Sequence, residues 1–403
     1  MMRKDYIASR NIPETSFTAK PLNWALFFGS VFFFMINLFA AIAIFPAYSL
    51  SIGSSPFLSG LQNTIFGFAA VALRFYLGPI MDRRGAKPMM LLGSFAFATA
   101  PLLLFLAPTY GMLLTARIYQ SIGLAVFLPG MYTIVAEMAP RLRIGTYIGG
   151  LRIFFNLGLL AGPSAGLFLV NSYGYESWFL FTILVGLISF ALLTLVSTPA
   201  VKLLPAGGNS SWDNIKEALA SGEVKMILAG IALFSFTFSA VVSFAAIHVE
   251  TAASQADASI FFIVFGAAGI TSCLVTGNLS DRFGRRKVAL PMLTIVGTAA
   301  ALFFFLPYWP PLLYICAALF GIGIQGSSLV FAAWLIDISK PHLRATTISF
   351  QENSIDIMFA MGALVFGLAA QGPGLGSAFL TAGIVTIMAV LPFSRKSATI
   401  KQG

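Results

Sequence analysis

Long apolar stretches recur along this chain and constrain its fold more than any other feature. Of its 403 residues, 58% are hydrophobic and 9% are charged, whereas soluble domains carry about 25% charged residues. A stretch of about 20 apolar residues is long enough to cross the hydrocarbon core of a bilayer as an α-helix. The sequence therefore predicts an all-α membrane protein. The predicted helices are 23–47, 57–80, 88–107, 110–137, 144–171, 176–198, 224–249, 257–279, 288–307, 310–337, 343–370 and 374–393.

The basic residues lie on one side of this twelve-helix arrangement. Of the 24 Lys and Arg residues, 21 fall at the two termini, in the central segment, or in and beside the loops that follow even-numbered helices. The other three, Arg74, Arg117 and Arg152, lie inside helices. Because cytoplasmic loops carry an excess of Lys and Arg, we expect a multi-pass protein of the cell (inner) membrane with both termini cytoplasmic. The net positive charge thus reflects topology, and we expect no nucleic-acid partner.

Two short charged turns about 200 residues apart have nearly the same sequence. The segment from Gly78 to Lys87 and the segment from Gly277 to Lys287 both read Gly-x-x-x-Asp-Arg-x-Gly-x-[Lys/Arg]. They follow the second and the eighth predicted helix. Glu137 and Asp337 match at a similar offset, and so do Arg152 and Glu352. The chain is therefore an internal repeat of two halves with six helices each.

A turn of this sequence in each half resembles the signature of the major facilitator superfamily of transporters. The resemblance covers the whole chain and implies twelve transmembrane helices in two pseudo-symmetric six-helix bundles. The implied divisions are a cytoplasmic N-terminal segment (1–22), a first bundle (23–198), a cytoplasmic linker (199–222), a second bundle (223–394) and a cytoplasmic tail (395–403). Internal repeats of this kind place the substrate site between the halves near the middle of the membrane.

In this superfamily the charged turn acts as a gating element that opens and closes the cytoplasmic side. The resemblance assigns that role to Asp82, Arg83, Asp281 and Arg282, with Glu137 and Asp337 at the ends of helices 4 and 10 as partners. The alternative is that the basic residues of these turns only fix the orientation of the helices in the membrane.

Helix 4 resembles the superfamily motif Arg-x-x-Gln-Gly-x-Gly around Arg117, with Ser121 in place of the first Gly. An Arg inside a membrane helix costs at least a few kcal/mol on insertion scales, so we expect it to face a partner or a wet cavity. The family links this Arg to proton transfer. The alternative is a structural Arg that holds the bundle together.

Helix 5 resembles the antiporter motif of the exporters in this superfamily. The matching residues are Gly158, Gly162, Pro163 and Gly166. Glycines four residues apart also permit close helix packing with no specific function, which is the alternative interpretation. The Gly-Pro pair within the full spacing is the main reason why we favour export over uptake.

Glu352 and Asp356 are one turn apart on helix 11 and therefore share a face. Two carboxyl groups there are costly unless they are protonated or paired with a cation. We expect Asp356 to carry the coupled proton, with Glu352 and Arg117 assisting. Arg152 is the expected partner across the halves, in an ion pair that either breaks during transport or is static. The substrate-binding candidates are the polar helix residues Asn37, Arg74, Gln120, Arg152, Asn156 and Gln325.

The sequence contains no phosphate-binding Gly-x-x-x-x-Gly-Lys-[Ser/Thr] loop. We expect no catalytic residue, no cofactor and no metal. The leading hypothesis is a monomeric, proton-coupled exporter of a small organic molecule, a drug or a metabolite, that works by alternating access. Its partners would be that small-molecule substrate, protons and the lipid bilayer. One alternative is a symporter or uniporter that imports a small anionic metabolite through Arg74, Arg117 and Arg152. The other is a membrane receptor or scaffold that does not transport.

Overall fold

The structure is a computed structural model that describes residues 20–106, 108–140, 144–198, 216–217, 219–252, 257–339 and 344–395. Within these ranges the regular structure is helical, without a strand. The long helices are α1 (Pro21–Ser51), α2 (Pro56–Arg84), α3 (Ala86–Thr99), α4 (Tyr110–Met138), α5 (Ile144–Tyr173), α6 (Tyr175–Leu195), α7 (Gly222–Ala252), α8 (Ala258–Phe283), α9 (Arg285–Phe303), α10 (Leu312–Ile338), α11 (Arg344–Ala369) and α12 (Leu375–Arg395). They match the twelve predicted helices one for one.

Eleven spans in the described part of the chain are long and apolar enough to cross a membrane. The third span is interrupted, because α3 ends at Thr99 and a short helix (Leu102–Leu106) continues it after Pro101. Proline lacks the amide hydrogen that an uninterrupted helix would use. The apolar part of α12, Leu375–Val390, is shorter than the other eleven spans.

The two charged turns have the same backbone geometry. Gly85 lies between α2 and α3 with φ of 90°, and Gly284 lies between α8 and α9 with φ of 95°. A residue with a side chain is strained at such a φ, whereas glycine is not. The glycine in each copy therefore lets two membrane helices follow each other with one residue between them.

We call the side of the membrane that holds these two turns, Lys20 and Arg395 the basic face, and the other side the opposite face. Helices α2, α4 and α8 begin at the opposite face, where Ser55, Thr109 and Asp257 accept hydrogen bonds from backbone amides of the first turn. Such side chains satisfy amides that have no partner within the helix. The helices then alternate in direction through each half.

The first half consists of α1–α6 and the second of α7–α12. The halves meet mainly through three helix pairs, α2 with α11, α5 with α8, and α1 with α7. At the opposite face α2 and α11 are so close that a Cβ added to Gly60 would lie 3.0 Å from the Cα of Gly367. Thr64 Oγ1 donates to the Ala360 carbonyl at 2.9 Å in the same contact. The halves are therefore in contact near the opposite face.

Parts of the predicted domain division fall outside the described residues. The linker 199–222 is described only at 216–217 and 219–222, the N-terminal segment only from residue 20, and the tail only at Arg395. The predicted bundles, 23–198 and 223–394, contain the two sets of six helices. The bundle boundaries themselves stay a prediction.

Candidate functional site

A central cavity lies between the two halves. Its volume is about 100 Å³, and helices α1, α2, α4 and α5 of the first half and α7, α10 and α11 of the second contribute to its wall. The wall is largely aromatic and aliphatic. Its aromatic rings are Phe39, Phe66, Tyr132, Phe155, Phe234, Phe238 and Phe359. A wall of this composition favours contact with an apolar organic molecule, whose orientation a few polar groups would determine. At about 100 Å³ the cavity is narrower than the roughly 300–1,000 Å³ of drug-sized sites, so a substrate of that size would need the halves to move apart.

The polar groups of the cavity come from four helices. They are Tyr132 of α4, Arg152 of α5, Gln325 and Ser328 of α10, and Glu352 and Asp356 of α11. Four of these six, Arg152, Gln325, Glu352 and Asp356, were predicted from the sequence. The structure thus brings both carboxyl groups of α11 that were predicted to couple protons, and two of the substrate-binding candidates, to one cavity.

Asp356 forms an ion pair with Arg74 across the two halves. The Nη2 atom of Arg74 on α2 lies 2.6 Å from Oδ2 of Asp356 on α11, and the two side chains are 18% and 11% exposed. Arg74 Nη1 also donates to Oδ1 of Asn353 at 3.2 Å. Both described partners of the Arg74 guanidinium therefore lie on α11, in the second half.

Arg152, the predicted partner of the carboxyl groups of α11, forms no salt bridge with either of them among the described residues, so that pairing stays a prediction. Arg152 Nη1 instead donates to Ser328 Oγ of α10 at 3.0 Å. Glu352 makes no hydrogen bond or salt bridge among the described residues, but it borders the same cavity and its charge interacts with that of Arg152. Arg74 reaches Asp356 because α2 packs along α11, whereas α5 packs along α8.

Pseudo-symmetry makes the Arg74–Asp356 pair distinctive. The equivalents of Arg74 and Asp356, 199 or 200 positions away, are Cys273 and Asn156. These two residues also meet, because Asn156 Nδ2 contacts Cys273 Sγ at 3.8 Å in the packing of α5 against α8. One crossing between the halves is therefore charged, and its equivalent is polar but uncharged.

Arg117 lies apart from the carboxyl groups. It is fully buried, and its guanidinium donates to Asn63 Oδ1 at 2.6 Å and to Gln120 Oε1 at 2.9 Å. Its charge is also 3.8 Å from the centroid of the Phe66 ring, within the range of a cation–π interaction. The described contacts fit the structural interpretation of Arg117 and do not test its predicted role in proton coupling.

Asn63 extends this cluster to the other half. Its amide group donates to the Ile42 carbonyl of α1 at 3.1 Å and to Ser243 Oγ of α7 at 2.9 Å. With the bond from Arg117, all of its donors and its acceptor oxygen are used. Asn63 therefore ties α1, α2, α4 and α7 together in the half of the membrane next to the opposite face.

Besides Arg74, which pairs with Asp356 next to the central cavity, three substrate-binding candidates do not line that cavity. Asn37 donates to the Thr182 carbonyl of α6 at 2.9 Å, Gln120 accepts from Arg117, and Asn156 donates to the Arg152 carbonyl at 2.8 Å. All three are buried. A polar side chain inside the bilayer finds a partner in a neighbouring helix or in its own. Because these three side chains bond to other helix residues and lie outside the cavity wall, they are not placed to contact a ligand in the central cavity.

The charged turn of the second half forms a network. Arg285 pairs with Asp281, and its Nε donates to Oδ2 of Asp337 on α10 at 2.8 Å. The sequence predicted Asp281 and Asp337 but named Arg282, whose guanidinium instead lies over the Phe283 ring. Arg285 occupies a basic position of the same turn, so the signal for it was present in the sequence.

The charged turn of the first half has fewer described contacts. Arg83 and Glu137 are both exposed, without a described ion pair, and the side chain of Asp82 lies outside the described part of the structure. Ala86 stands where the second turn has Arg285. The first turn therefore lacks a counterpart of Arg285, the cation that pairs with both Asp281 and Asp337 in the second turn.

The glycines of the predicted antiporter motif face α1. A Cβ added to Gly162 would lie 2.5 Å from the Ile36 carbonyl oxygen, and one added to Gly158 would lie 2.9 Å from the Met35 carbonyl carbon. Gly166 faces Ile44 and the Trp178 indole. The motif therefore brings α5 into backbone contact with α1, the most direct role for glycines four residues apart.

Five polar residues of these contacts were not predicted from the sequence: Asn63, Tyr132, Ser243, Ser328 and Asn353. Asn63 and Asn353 are amide side chains inside apolar helices, a signal that could have drawn attention to them. Tyr132, Ser243 and Ser328 are of types that occur throughout membrane helices, and only their neighbours in the fold distinguish them.

The amino-acid sequence is similar to those of a multidrug transporter and a multidrug resistance protein. The multidrug transporter MdfA of Yersinia pestis bv. Antiqua (strain Angola) is 26% identical over 343 residues, which cover 80% of this chain and 82% of that protein. The multidrug resistance protein MdtG of Klebsiella pneumoniae (strain 342) is 27% identical over 353 residues and 82% of both chains.

Solved structures share the fold at low sequence identity. A mutant of the nucleoside transporter NupG has a TM-score of 0.73 at 16% identity and covers 92% of this chain and 99% of its own. The human organic anion transporter MFSD10 (TETRAN) has a TM-score of 0.68 at 15% identity, with coverages of 92% and 98%. The profile of the Major Facilitator Superfamily matches residues 27–277 and 246–399. The chain, with its two six-helix halves and the cavity between them, therefore belongs to the Major Facilitator Superfamily.

Proposed function

We propose that this protein is a proton-coupled exporter of small organic molecules and that it works by alternating access. One observation carries the proposal: an ion pair between Arg74 and Asp356 joins the two halves at the wall of the central cavity. A contact of this kind can exist only while α2 and α11 are close. Its stability is therefore linked to the arrangement of the halves.

Protonation of Asp356 supplies the coupling step in this mechanism. A protonated carboxyl group loses its charge, so the attraction that holds Arg74 against α11 weakens, whereas Arg74 stays a cation because guanidinium does not deprotonate in proteins. Loss of the pair lets α2 and α11 separate. A proton taken up in one arrangement and released in the other then couples proton movement to the exchange of the two states.

Glu352 has a different role in this proposal. It borders the cavity, and its charge interacts with that of Arg152, so in this proposal the two residues together meet a substrate or a second proton. Arg152 and Gln325 complete the polar part of the proposed substrate site. In this proposal Arg74 acts in coupling. Asn37, Gln120 and Asn156 are not part of the substrate site, because their described hydrogen bonds go to residues outside the cavity wall or to the backbone of their own helix.

Export rests on the relatives and on the glycine motif of α5. The names of MdfA and MdtG describe multidrug transport and resistance, and Gly158, Gly162, Pro163 and Gly166 resemble the exporter motif. We further propose that Asp281, Arg285 and Asp337 stabilise one state at the basic face. Asp82, Arg83 and Glu137 would do so in the first half, with Arg282 in a supporting position. Arg117 lies nearer the opposite face, and in this proposal it assists proton coupling there. In this proposal the basic face is cytoplasmic.

Uptake of a small anionic metabolite is the second candidate. It is favoured by Arg152, a cation on the cavity wall whose described side-chain partner, Ser328, is neutral. The name of the structural neighbour MFSD10 describes transport of organic anions. In contrast, Arg74 is neutralised by Asp356 and Arg117 lies outside the cavity wall, so the three arginines do not form one anion site.

Flux measurements in proteoliposomes discriminate between these functions. The purified protein is reconstituted, and uptake of ethidium and of a mixture of radiolabelled organic anions is measured with and without a pH gradient. Export by proton antiport predicts that vesicles acidified inside accumulate ethidium above its equilibrium level and lose this accumulation with a protonophore. Anion accumulation driven by an inward proton gradient would instead support import. Absence of flux for every probe would support the receptor or scaffold alternative.

A further inference from the structure

A second cavity adjoins the central cavity on one side of the protein. It lies between α2, α4 and α11 and has a volume of about 510 Å³. Leu128, Tyr132 and Glu352 line both cavities. The two spaces are therefore separated by no more than the side chains that they share.

The outer rim of this side cavity is exposed at the surface of the protein. Phe75 is 74% exposed at the rim, and Ala136 on the facing helix is exposed as well. Phe75 precedes Arg84, the last residue of α2, by nine positions, or about 14 Å at the helical rise of 1.5 Å per residue. Ala136 lies close to the basic end of α4. The rim therefore extends from the headgroup region of the basic face to the level of the acyl chains.

Polar groups lie at the inner end of the side cavity. Arg74, Tyr132, Glu352 and Asn353 line it where it approaches the central cavity, and Val71, Phe75, Leu128 and Pro129 form its apolar part. A molecule that moves inward along this surface exchanges lipid for apolar side chains and then meets hydrogen-bonding groups. A strongly hydrated ion would lose its hydration before it reached those groups.

The equivalent crossing on the other side of the molecule is held by polar contacts. Ser328, the counterpart of Leu128 at an offset of 200 positions, accepts a hydrogen bond from Arg152 at 3.0 Å. Cys273, the counterpart of Arg74, contacts Asn156, and a Cβ added to Gly269 would lie 2.8 Å from the side chain of Gln325. The described contacts thus distinguish the two sides of the repeat.

We infer that the side cavity is a lateral portal through which an amphiphile dissolved in the basic-face leaflet enters the central cavity. The inference rests on the proposed transport function, which it deepens by naming the source and the chemical class of the substrate. The substrate is an amphiphile with an apolar body that passes Phe75 and Val71 and a polar end that reaches Tyr132, Asn353 and Glu352. Arg74 lies at the inner end of the portal, so the coupling pair also borders the route of entry.

Narrowing the portal tests this route. Ala136→Trp and Val71→Trp place an indole in the side cavity, and Ala136→Ser and Val71→Ile are the matched controls. Export of Hoechst 33342, which dissolves in the bilayer, is compared with export of ethidium, which stays largely in water. We expect the Trp variants to slow Hoechst export at least fivefold and ethidium export less than twofold. Equal slowing of both dyes, or of neither, would overturn the portal.

A second measurement does not depend on transport. A bimane fluorophore is attached to Tyr132→Cys in a background of Cys273→Ser and Cys316→Ser, and the lipid carries bromine on its acyl chains. We expect quenching close to that of a label at the lipid-facing Phe75→Cys. Quenching no greater than that at Thr109→Cys, in a loop of the opposite face, would refute lipid access. If neither dye is exported by the unaltered protein while Tyr132 is quenched, the proposed export fails and the portal stands.

Discussion

The ion pair between Arg74 and Asp356 contributes to the packing of the two halves, and in the proposed mechanism it also couples protons to transport. An ion pair that is largely removed from water gives little net stability, but the loss of one partner is costly because the other charge stays behind. The two side chains come from different halves and are 18% and 11% exposed. A variant of either residue therefore reports on the packing of the halves and on coupling at once, and different measurements must separate the two.

Replacement of Asp356 with Asn tests coupling. Asn has nearly the same shape and its carbonyl oxygen can still accept a hydrogen bond from Arg74, but it cannot take up a proton. We expect accumulation of ethidium against its gradient to be lost, while exchange of ethidium between equal concentrations continues at a rate within about threefold. Normal accumulation by this variant would assign the proton to Glu352, which Glu352→Gln then checks.

Two variants, one that removes the cation and one that exchanges the two charges, test the pair itself. Arg74→Ala leaves Asp356 without its cation, and we expect a loss of about 2–3 kcal/mol, below the range for fully buried pairs because both groups are partly exposed. The double variant Arg74→Asp, Asp356→Arg restores opposite charges across the contact. It should regain most of the thermal stability in detergent but not coupled accumulation. No recovery in the double variant would argue that Asn353, rather than charge, determines the contact.

At the scale of the helix, the glycines of α5 set its distance from α1. Gly158, Gly162 and Gly166 lie on one stripe. Atoms of Met35 and Ile36 occupy the space where side chains of Gly158 and Gly162 would be, and the side chains of Ile44 and Trp178 occupy that space at Gly166. Association of membrane helices depends on packing of this kind because lipid supplies no hydrophobic driving force between them. The stripe therefore holds the first half together, whatever further role it has in transport.

Gly162→Ala is the sharpest test of this packing. The added methyl group would lie 2.5 Å from the Ile36 carbonyl oxygen, so α5 must move away from α1, and we expect a loss of about 1–3 kcal/mol as in other overpacked cores. Gly149→Ala is the matched control on the same helix, because nothing lies within 4 Å of its Cβ position. That control should be neutral or slightly stabilising. Equal melting temperatures for both variants would contradict the close contact.

At the scale of the whole molecule, the two halves are joined near the opposite face. Asn63 with Ser243, Thr64 with Ala360, and Ser164 with the Ser259 carbonyl all connect them there. In the proposed alternating-access cycle, these contacts would break when the opposite face opens. The described arrangement therefore corresponds to a state in which the opposite face is closed.

Cysteine labelling tests the orientation of the whole molecule. The distribution of Lys and Arg predicts that the basic face is cytoplasmic. In a background without Cys273 and Cys316, cysteines at the exposed positions Thr109, Ser172 and Trp309 should react with an impermeant maleimide added to whole cells. Cysteines at Arg84 and Lys225, which are exposed on the basic face, should react only after permeabilisation. Labelling of Arg84→Cys in intact cells would invert the topology.

The sequence by itself determined the number and order of the helices and the repeat of two halves. These features depend on local properties: the length of an apolar stretch, a glycine where two helices meet, and a Lys or Arg beside a span. The charged turns at Gly85 and Gly284 illustrate this, because the conformation of each is fixed within a few residues. Asp356 and Glu352 could be selected on the same basis, since a carboxyl group inside an apolar helix is conspicuous wherever the helix lies.

Only the tertiary structure decided which residues these groups meet. Arg152 is the repeat counterpart of Glu352, so pairing it with a carboxyl group of α11 was reasonable, yet Arg74 holds Asp356 because α2 and α11 cross there. Asn37 and Gln120 were conspicuous polar residues too, but their helices turn them into the first half. The partner of a side chain depends on the crossing of helices far apart in sequence, and hydrophobic length and charge carry no information about that crossing.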